Sequence, residues 1–448
     1  MLYRLLNNNH RFLLTCFLTS IFFVLSAGAQ SKDSLTLEEA VQKVLKNSHA
    51  LNKLNSQVEA AGEKVNEAGS AFLPSVSADF SYANIGPDGN YKIQFSPTAP
   101  PISMTPANNY DAHVGVNMVL YDFGKRKLGV QAAKINEKSI KDQNTGIINA
   151  ITFQTVSLIT NIAMIQQGIA IQNENITSLQ RHLDLVKKRV ETGTGTDYDI
   201  LKTEAQLSTS RAALLDLENN LEKLRINLSI LMGVKSDSLS PVKVTFDSLQ
   251  YTADTDSLIS VALKKRTEII SAQNAIEIIK INQEIVRREN TPNLGASVAA
   301  GIKNGFPCDI KTPEKPEFNY SAGVQLHVPI YDGARQRYQS KETAANLKIA
   351  EESLVEATDK VKSEIMQAVA DVRTSYAKIA NSILQVKVNR ESYRLAEAKL
   401  QAGTITNDDL LDTQRDYTMS QLMNLQDRAR YTLSLYALDQ ATGNSAAK

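Results

Sequence analysis

The feature that most narrows what this chain can become is that it is written twice. Tyr121-Asp122-Phe123-Gly124 returns 210 positions later as Tyr331-Asp332-Gly333. At the same spacing Gly193 returns as Gly403, and Leu231-Met232-Gly233 as Ala441-Thr442-Gly443. A period this long marks duplication of a whole structural unit, not a solenoid of small repeats. The spacing predicts a first repeat over residues 30–233, a Ser-, Asp- and Pro-bearing linker over 234–255, and a second repeat over 256–448.

Each copy has one order: helix, strand, loop, strand, long helix, tight turn, helix. The first helix is predicted from Thr36 to Ala71, with Thr36 and Glu39 in capping-box spacing and Pro74 ending it. The apolar period then changes to two. Val76, Ala78, Phe80 and Tyr82 alternate with small polar residues, as do Ala112, Val114, Val116, Met118 and Leu120. Leu294 to Ile302 and Tyr320 to Val328 repeat the pattern. A soluble half-buried sheet alternates in the same way. Two tyrosine brackets favour a membrane instead: Tyr110 with Tyr121 and Tyr320 with Tyr331, each pair 11 residues apart. Aromatic residues mark both interfaces of a transmembrane barrel.

The helices that follow are too long for an ordinary domain. Lys125 to Arg189 and Arg335 to Lys399 contain no proline and carry apolar residues at steps of three and four, a coiled-coil seam. Roughly 65 residues at 1.5 Å each give a rod of about 100 Å. Both rods end at glycine turns, Gly193 to Asp197 and Gly403 to Asn407, where Asp197 and Asn407 are placed to cap the returning helices. Four strands per chain cannot close a barrel, and lipid does not tolerate open strand edges. Two chains would give eight strands and three would give twelve; only the larger barrel leaves a lumen, so a trimer is preferred.

Composition adds limits. Arg4 and Arg11 precede the apolar run Phe12 to Leu25 and the small residues Ala27-Gly28-Ala29, which predicts a signal peptide over 1–29. Cys16 leaves with it, so Cys308 has no disulfide partner in the chain. Acidic and basic residues are nearly balanced, with a formal net charge of +1 for the full chain, and nothing points to nucleic acid. The scattered His49, His113, His182 and His327 have no metal-ligand spacing. His113 and His327 fall on the inward faces of matching strands. No phosphate loop or nucleophile elbow is present, so neither enzyme activity nor a cofactor is expected. Gly124-Lys125-Arg126-Lys127 reads as a basic helix start near lipid headgroups.

With these residues in order, the chain resembles the TolC family of outer-membrane efflux proteins over nearly all its mature length. The resemblance is carried by Leu35-Thr36-Leu37-Glu38-Glu39-Ala40, Phe72-Leu73-Pro74, the two Tyr-Asp motifs, and Arg189 through Gly193 to Leu201. It implies an α+β membrane protein: four strands per protomer, twelve in a homotrimer, continuous with a periplasmic α-helical coiled-coil barrel. It also implies an outer-membrane exit duct for efflux or type I secretion in a Gram-negative bacterium. A periplasmic adaptor (membrane fusion) protein would dock at tip turns bearing Arg189, Gly193, Gly195 and Gly403, with an inner-membrane transporter beyond. By position from the tip glycines, Asp409 and Asp412 match acidic rings at the closed end, and Asp199 matches a latch residue. Asp408, Asp409 and Asp412 equally suit the first turn of a helix, where the dipole favours them. Ile405 and Leu400 replace the latch partners of the family, so the tip must be held differently. The alternative, a soluble periplasmic coiled-coil adaptor or structural rod, leaves the strands and tyrosine brackets unexplained.

Overall fold

The computed structural model describes residues 35–85, 92–103, 106–235, 239–246, 250–252, 254–304 and 315–444. The predicted signal peptide and Cys308 lie outside them. The chain divides into two compact units: residues 1–49, 147–262 and 363–448 form one, and residues 50–146 and 263–362 the other. In chain order the elements are α1 (Leu37–Asn47), α2 (His49–Ser70), β1 (Ser75–Asn84), β2 (Lys92–Ile93), β3 (Ile102–Ser103), β4 (Asn108–Tyr121), α3 (Lys125–Glu191) and α4 (Asp197–Met232). There follow α5 (Thr255–Lys265), α6 (Thr267–Arg287), β5 (Asn293–Lys303), β6 (Glu317–His327), α7 (Arg335–Gln401) and α8 (Asn407–Ala441).

The second unit holds an antiparallel sheet in the order β1-β4-β5-β6. Its register sorts the side chains by chemistry. Val76, Val116, Val298 and Ala322 form one cross-strand row, Ala78, Val114, Ala300 and Tyr320 the next, and Phe80, Ala112, Ile302 and Phe318 the third. The opposite face carries Ser77, Gly115 and Ala299, then Asp79, His113, Gly301 and Asn319. A slip between Val119 and Tyr121 leaves Leu120 without a partner and sets Tyr121 opposite Leu294, on the apolar side. Such a bulge re-aims a side chain without ending the pairing. Phe80, Tyr82 and Val324 are largely exposed, so the apolar face has no cover among the described residues.

Each Tyr-Asp motif turns a strand into a helix. The Asp122 carboxylate accepts the N–H groups of Gly124 at 3.1 Å and Arg126 at 2.8 Å, and the Arg126 guanidinium at 3.1 Å. Partial burial works against ionisation of Asp122, but these bonds outweigh it and hold the pKa below the usual carboxylate value. Asp332 does the same with the Gln336 N–H and the Asn290 amide. Gly124 and Gly333 both have positive φ, which explains glycine there. Arg126 of the basic helix start is also tied to the Ala71 carbonyl at 2.9 Å and its side chain is largely buried, so it serves the turn.

The first unit is helical and packs through separate apolar clusters. Val372, Ile379, Tyr431 and Leu438 join α7 to α8, and Leu179, Leu183, Leu207 and Leu411 join α3, α4 and α8. By length and apolar composition α3 is able to cross a membrane. Its Val156, Ile159 and Ile162 are instead buried against neighbouring helices.

Three expectations are corrected. The predicted helix from Thr36 to Ala71 breaks at Ser48, whose extended backbone separates α1 from α2; the Thr36–Glu39 capping box does form. The returning helices are capped by Thr196 and Thr406, not by Asp197 and Asn407, because Thr followed by Asp three residues later closes a reciprocal box. The segment read as a plain linker is packed: Phe246 is buried with Ala163, Leu425 and Ala429, and Val242 bridges to Leu35.

Candidate functional site

The glycine turns that end α3 and α7 are built alike. Gly193 and Gly403 have φ of 75° and 73°, a left-handed conformation that costs a side-chain-bearing residue about 1–2 kcal/mol. The Gly193 N–H reaches the Val190 carbonyl and the Thr194 N–H that of Arg189; Gly403 and Thr404 repeat this on Leu400 and Lys399. Both are Schellman caps. Gly195 has no room to spare, since a Cβ there would lie 3.2 Å from the Val190 backbone N and its Cγ2.

The aspartates singled out by position have their own local partners. Asp199 accepts the Thr196 N–H at 2.9 Å and hydroxyl at 2.8 Å. Asp409 accepts the same groups of Thr406 at 2.9 and 2.7 Å, and the Thr406 hydroxyl is the main reason its pKa stands below the usual value. Asp412 is exposed and meets Arg415 at 3.1 Å. Asp408, its neighbour in sequence, pairs with Lys202 of α4 at 3.6 Å. Leu400, one of the two residues expected to rule out the family's latch, is buried with Ala396 and Leu410, and Ile405 packs against them.

What fastens the two hairpins to each other here is a polar seam, of whose members the sequence had singled out Arg189 and Asn407, and those for other roles. From α3, Asn175 accepts from Gln414 at 3.1 Å, Ser178 meets the Tyr393 hydroxyl at 3.0 Å, and His182 Nε2 meets Asn407 Oδ1 at 2.7 Å. Arg189 donates to the Leu400 carbonyl at 3.2 Å. Asn407 also donates to Thr203 at 3.2 Å and to the Asp199 carbonyl at 3.4 Å, which joins α8 to α4. Arg189 is thus brought into contact with the second hairpin, whereas Asp199, Asp409 and Asp412 bond within their own helix starts. The available signal was polar residues at three- and four-residue steps beside the apolar seam of α3.

On the sheet, Tyr110 and Tyr320 lie toward one end of the apolar face and Tyr121 at the other, with Tyr331 just past β6. Tyr82 packs on Tyr110 at 5.2 Å, and Phe123 on Tyr121 at 4.9 Å. Phe80 and Phe318 extend the first band. From Tyr110 to Tyr121 is about 37 Å of strand. On the polar face His113 lies 3.0 Å from Asp111 and 3.8 Å from Asp79.

This combination of a duplicated helical hairpin and a sheet apolar on its uncovered face defines a channel-tunnel of the outer membrane. The family model for outer membrane efflux protein matches residues 40–234 and 258–444, and the chain belongs to that family. It is 24% identical to the outer membrane efflux protein BepC of Brucella suis, over 93% of this chain and 87% of that protein. It is 24% identical to the outer membrane protein TolC of Escherichia coli, over 87% of this chain and 78% of that protein. Its fold matches the outer membrane protein VceC of Vibrio cholerae with a TM-score of 0.74 at 17% identity, covering 91% of this chain and 96% of VceC. The chain is therefore an outer-membrane efflux protein by family.

Proposed function

We propose that three copies of this chain close a twelve-stranded barrel and form a passive exit duct, opened at its periplasmic tip by an adaptor. One observation carries the reading: among the described residues the sheet has two unpaired edges, β1 and β6, and an uncovered apolar face. In lipid each unpaired backbone group costs several kcal/mol, so the edges must pair with other copies. The strands alternate in direction from β1 to β6, so β6 of one copy meets β1 of the next antiparallel, and the ring closes with any number of copies. A lumen wide enough for cargo favours three copies over two.

Within this reading the helix turns at Gly193, Gly195 and Gly403, together with Arg189, form the adaptor-facing end. An inner-membrane transporter supplies cargo through the adaptor. Asp409 and Asp412 contribute acidic rings where symmetry brings copies together, and carboxylates converging on an axis set cation preference. Asp199 steadies the same end through its capping box. Tyr110, Tyr121, Tyr320 and Tyr331 anchor the barrel at the lipid interfaces. The test is single-channel recording of the purified protein in planar bilayers. Conductance with cation preference that falls in Asp409→Asn and Asp412→Asn supports the duct and its rings. Absence of conductance together with a mass of one chain overturns it.

A further inference from the structure

Gln172, Asn175, Ser178, His182 and Arg189 share one face of α3, and the last four reach the second hairpin through the bonds given above. Apolar side chains would hold two helices together at least as well. A polar seam differs in being conditional, because a buried network that loses one partner is worse than none. His182 is the member whose charge changes near neutral pH. It is 7% exposed. The bonds of Asn407 fix the tautomer of the neutral ring: the amide nitrogen donates to Thr203 and to the Asp199 carbonyl, so Oδ1 faces the ring and accepts a hydrogen from Nε2. A neutral imidazole satisfies that arrangement.

We infer that His182 is a proton-operated release, whose protonation parts the first hairpin from the second near the Gly193 and Gly403 turns. As a regulation of export it rests on the duct reading proposed above. Protonation does not remove the Nε2–H bond to Asn407; it places a cation in a buried site that is relieved only when the seam opens to water. The surrounding groups are these. Burial lowers the pKa and is the largest influence; the Asn407 bond, Glu397 of α7 and Asp199 of α4 raise it, and Arg189 of α3 lowers it. Arg181 of α3 and Tyr393 of α7 line the cleft beside the ring, and α8 presents Asn407 and Leu410, both uncharged. Burial prevails, so the ring in the closed seam binds its proton less readily than an exposed histidine. The seam therefore holds fully above about pH 6.5 and weakens as pH falls from there toward the depressed value, by up to about tenfold in its opening equilibrium per pH unit and per chain.

The test pairs spin labels at Lys187 of α3 and Arg390 of α7, in a Cys308→Ser background, with conductance of the same proteins in bilayers. Between pH 7.5 and 5.5 the label distance lengthens and conductance rises. His182→Gln, which keeps an N–H donor and cannot titrate, is flat in both. Asn407→Asp, which sets a carboxylate against the ring, holds the seam closed at pH 5.5. A distance that responds in His182→Gln as it does in the native chain, or that fails to respond in the native chain, overturns the inference. A His182-dependent distance change without any change in conductance supports the release and removes the gating role of this end of the molecule. Should His182→Gln not fold, the native chain and Asn407→Asp decide the matter alone.

Discussion

Asn407→Ala tests the seam at its most connected residue. The native amide accepts from His182 and donates to Thr203 and the Asp199 carbonyl, and Asn407 itself is buried. Truncation leaves the His182 Nε2–H without an acceptor, while Thr203 keeps its own bond to the Asp199 carbonyl at 2.7 Å. One orphaned buried donor costs about 1–3 kcal/mol. Taking about 2 kcal/mol, local opening becomes about 30-fold more frequent, since each 1.4 kcal/mol is a factor of ten. Amide hydrogen exchange of the detergent-solubilised protein reads this directly. The expected outcome is faster exchange confined to the first turns of α4 and α8, with the sheet unchanged. In His182→Ala/Asn407→Ala the second substitution costs much less than it does alone, because its partner is already gone. Acceleration below threefold, or spread evenly over both units, refutes the argument that the seam is a separable fastening.

Further outcomes follow from the same geometry. Gly403→Ala, at φ of 73° with no side chain or backbone nearby, destabilises its turn by about 1 kcal/mol through backbone strain alone, measurable by thermal denaturation. Thr406→Ala removes the hydroxyl's bond to the Asp409 carboxylate and the bond it accepts from the Asp409 N–H, keeps the backbone N–H bond, costs about 1 kcal/mol, and raises the Asp409 titration midpoint toward the ordinary value, as read by carboxyl carbon NMR. The native Asp409 contribution is present above the unfolded carboxylate pKa and is lost as pH falls through its depressed folded value. Val298→Lys places a charge on the apolar face of a central strand and costs about 2–4 kcal/mol in lipid, seen as failed membrane assembly. Ser297→Lys, one residue away on the polar face, assembles normally and shifts ion preference toward anions.

Much of this fold was legible because its periods are unmixed. Alternation from Val76 to Tyr82 and from Ala112 to Leu120 named the apolar face that the sheet register shows. Thr36 with Glu39 fixed a helix start because a capping box is local. The break at Ser48 carries no punctuation, and only tertiary packing of α1 decides it. Thr406 was passed over for Asn407 because both are good caps, and the choice depends on Asp409 three residues later. The seam was hidden for a different reason. Asn175, Ser178 and His182 lie beside Leu179 and Leu183 in sequence, and nothing in one chain segment reveals that Gln414, Tyr393 and Asn407 lie opposite. The tyrosine brackets were read, but Phe80, Tyr82 and Phe318 join their band only through cross-strand register.

The central claim, that the open edges β1 and β6 are closed by other copies, is tested most directly by mass. Light scattering of the protein extracted from outer membranes in mild detergent, corrected for bound detergent, should give three chains per particle. A single chain that stays soluble without detergent would contradict the account.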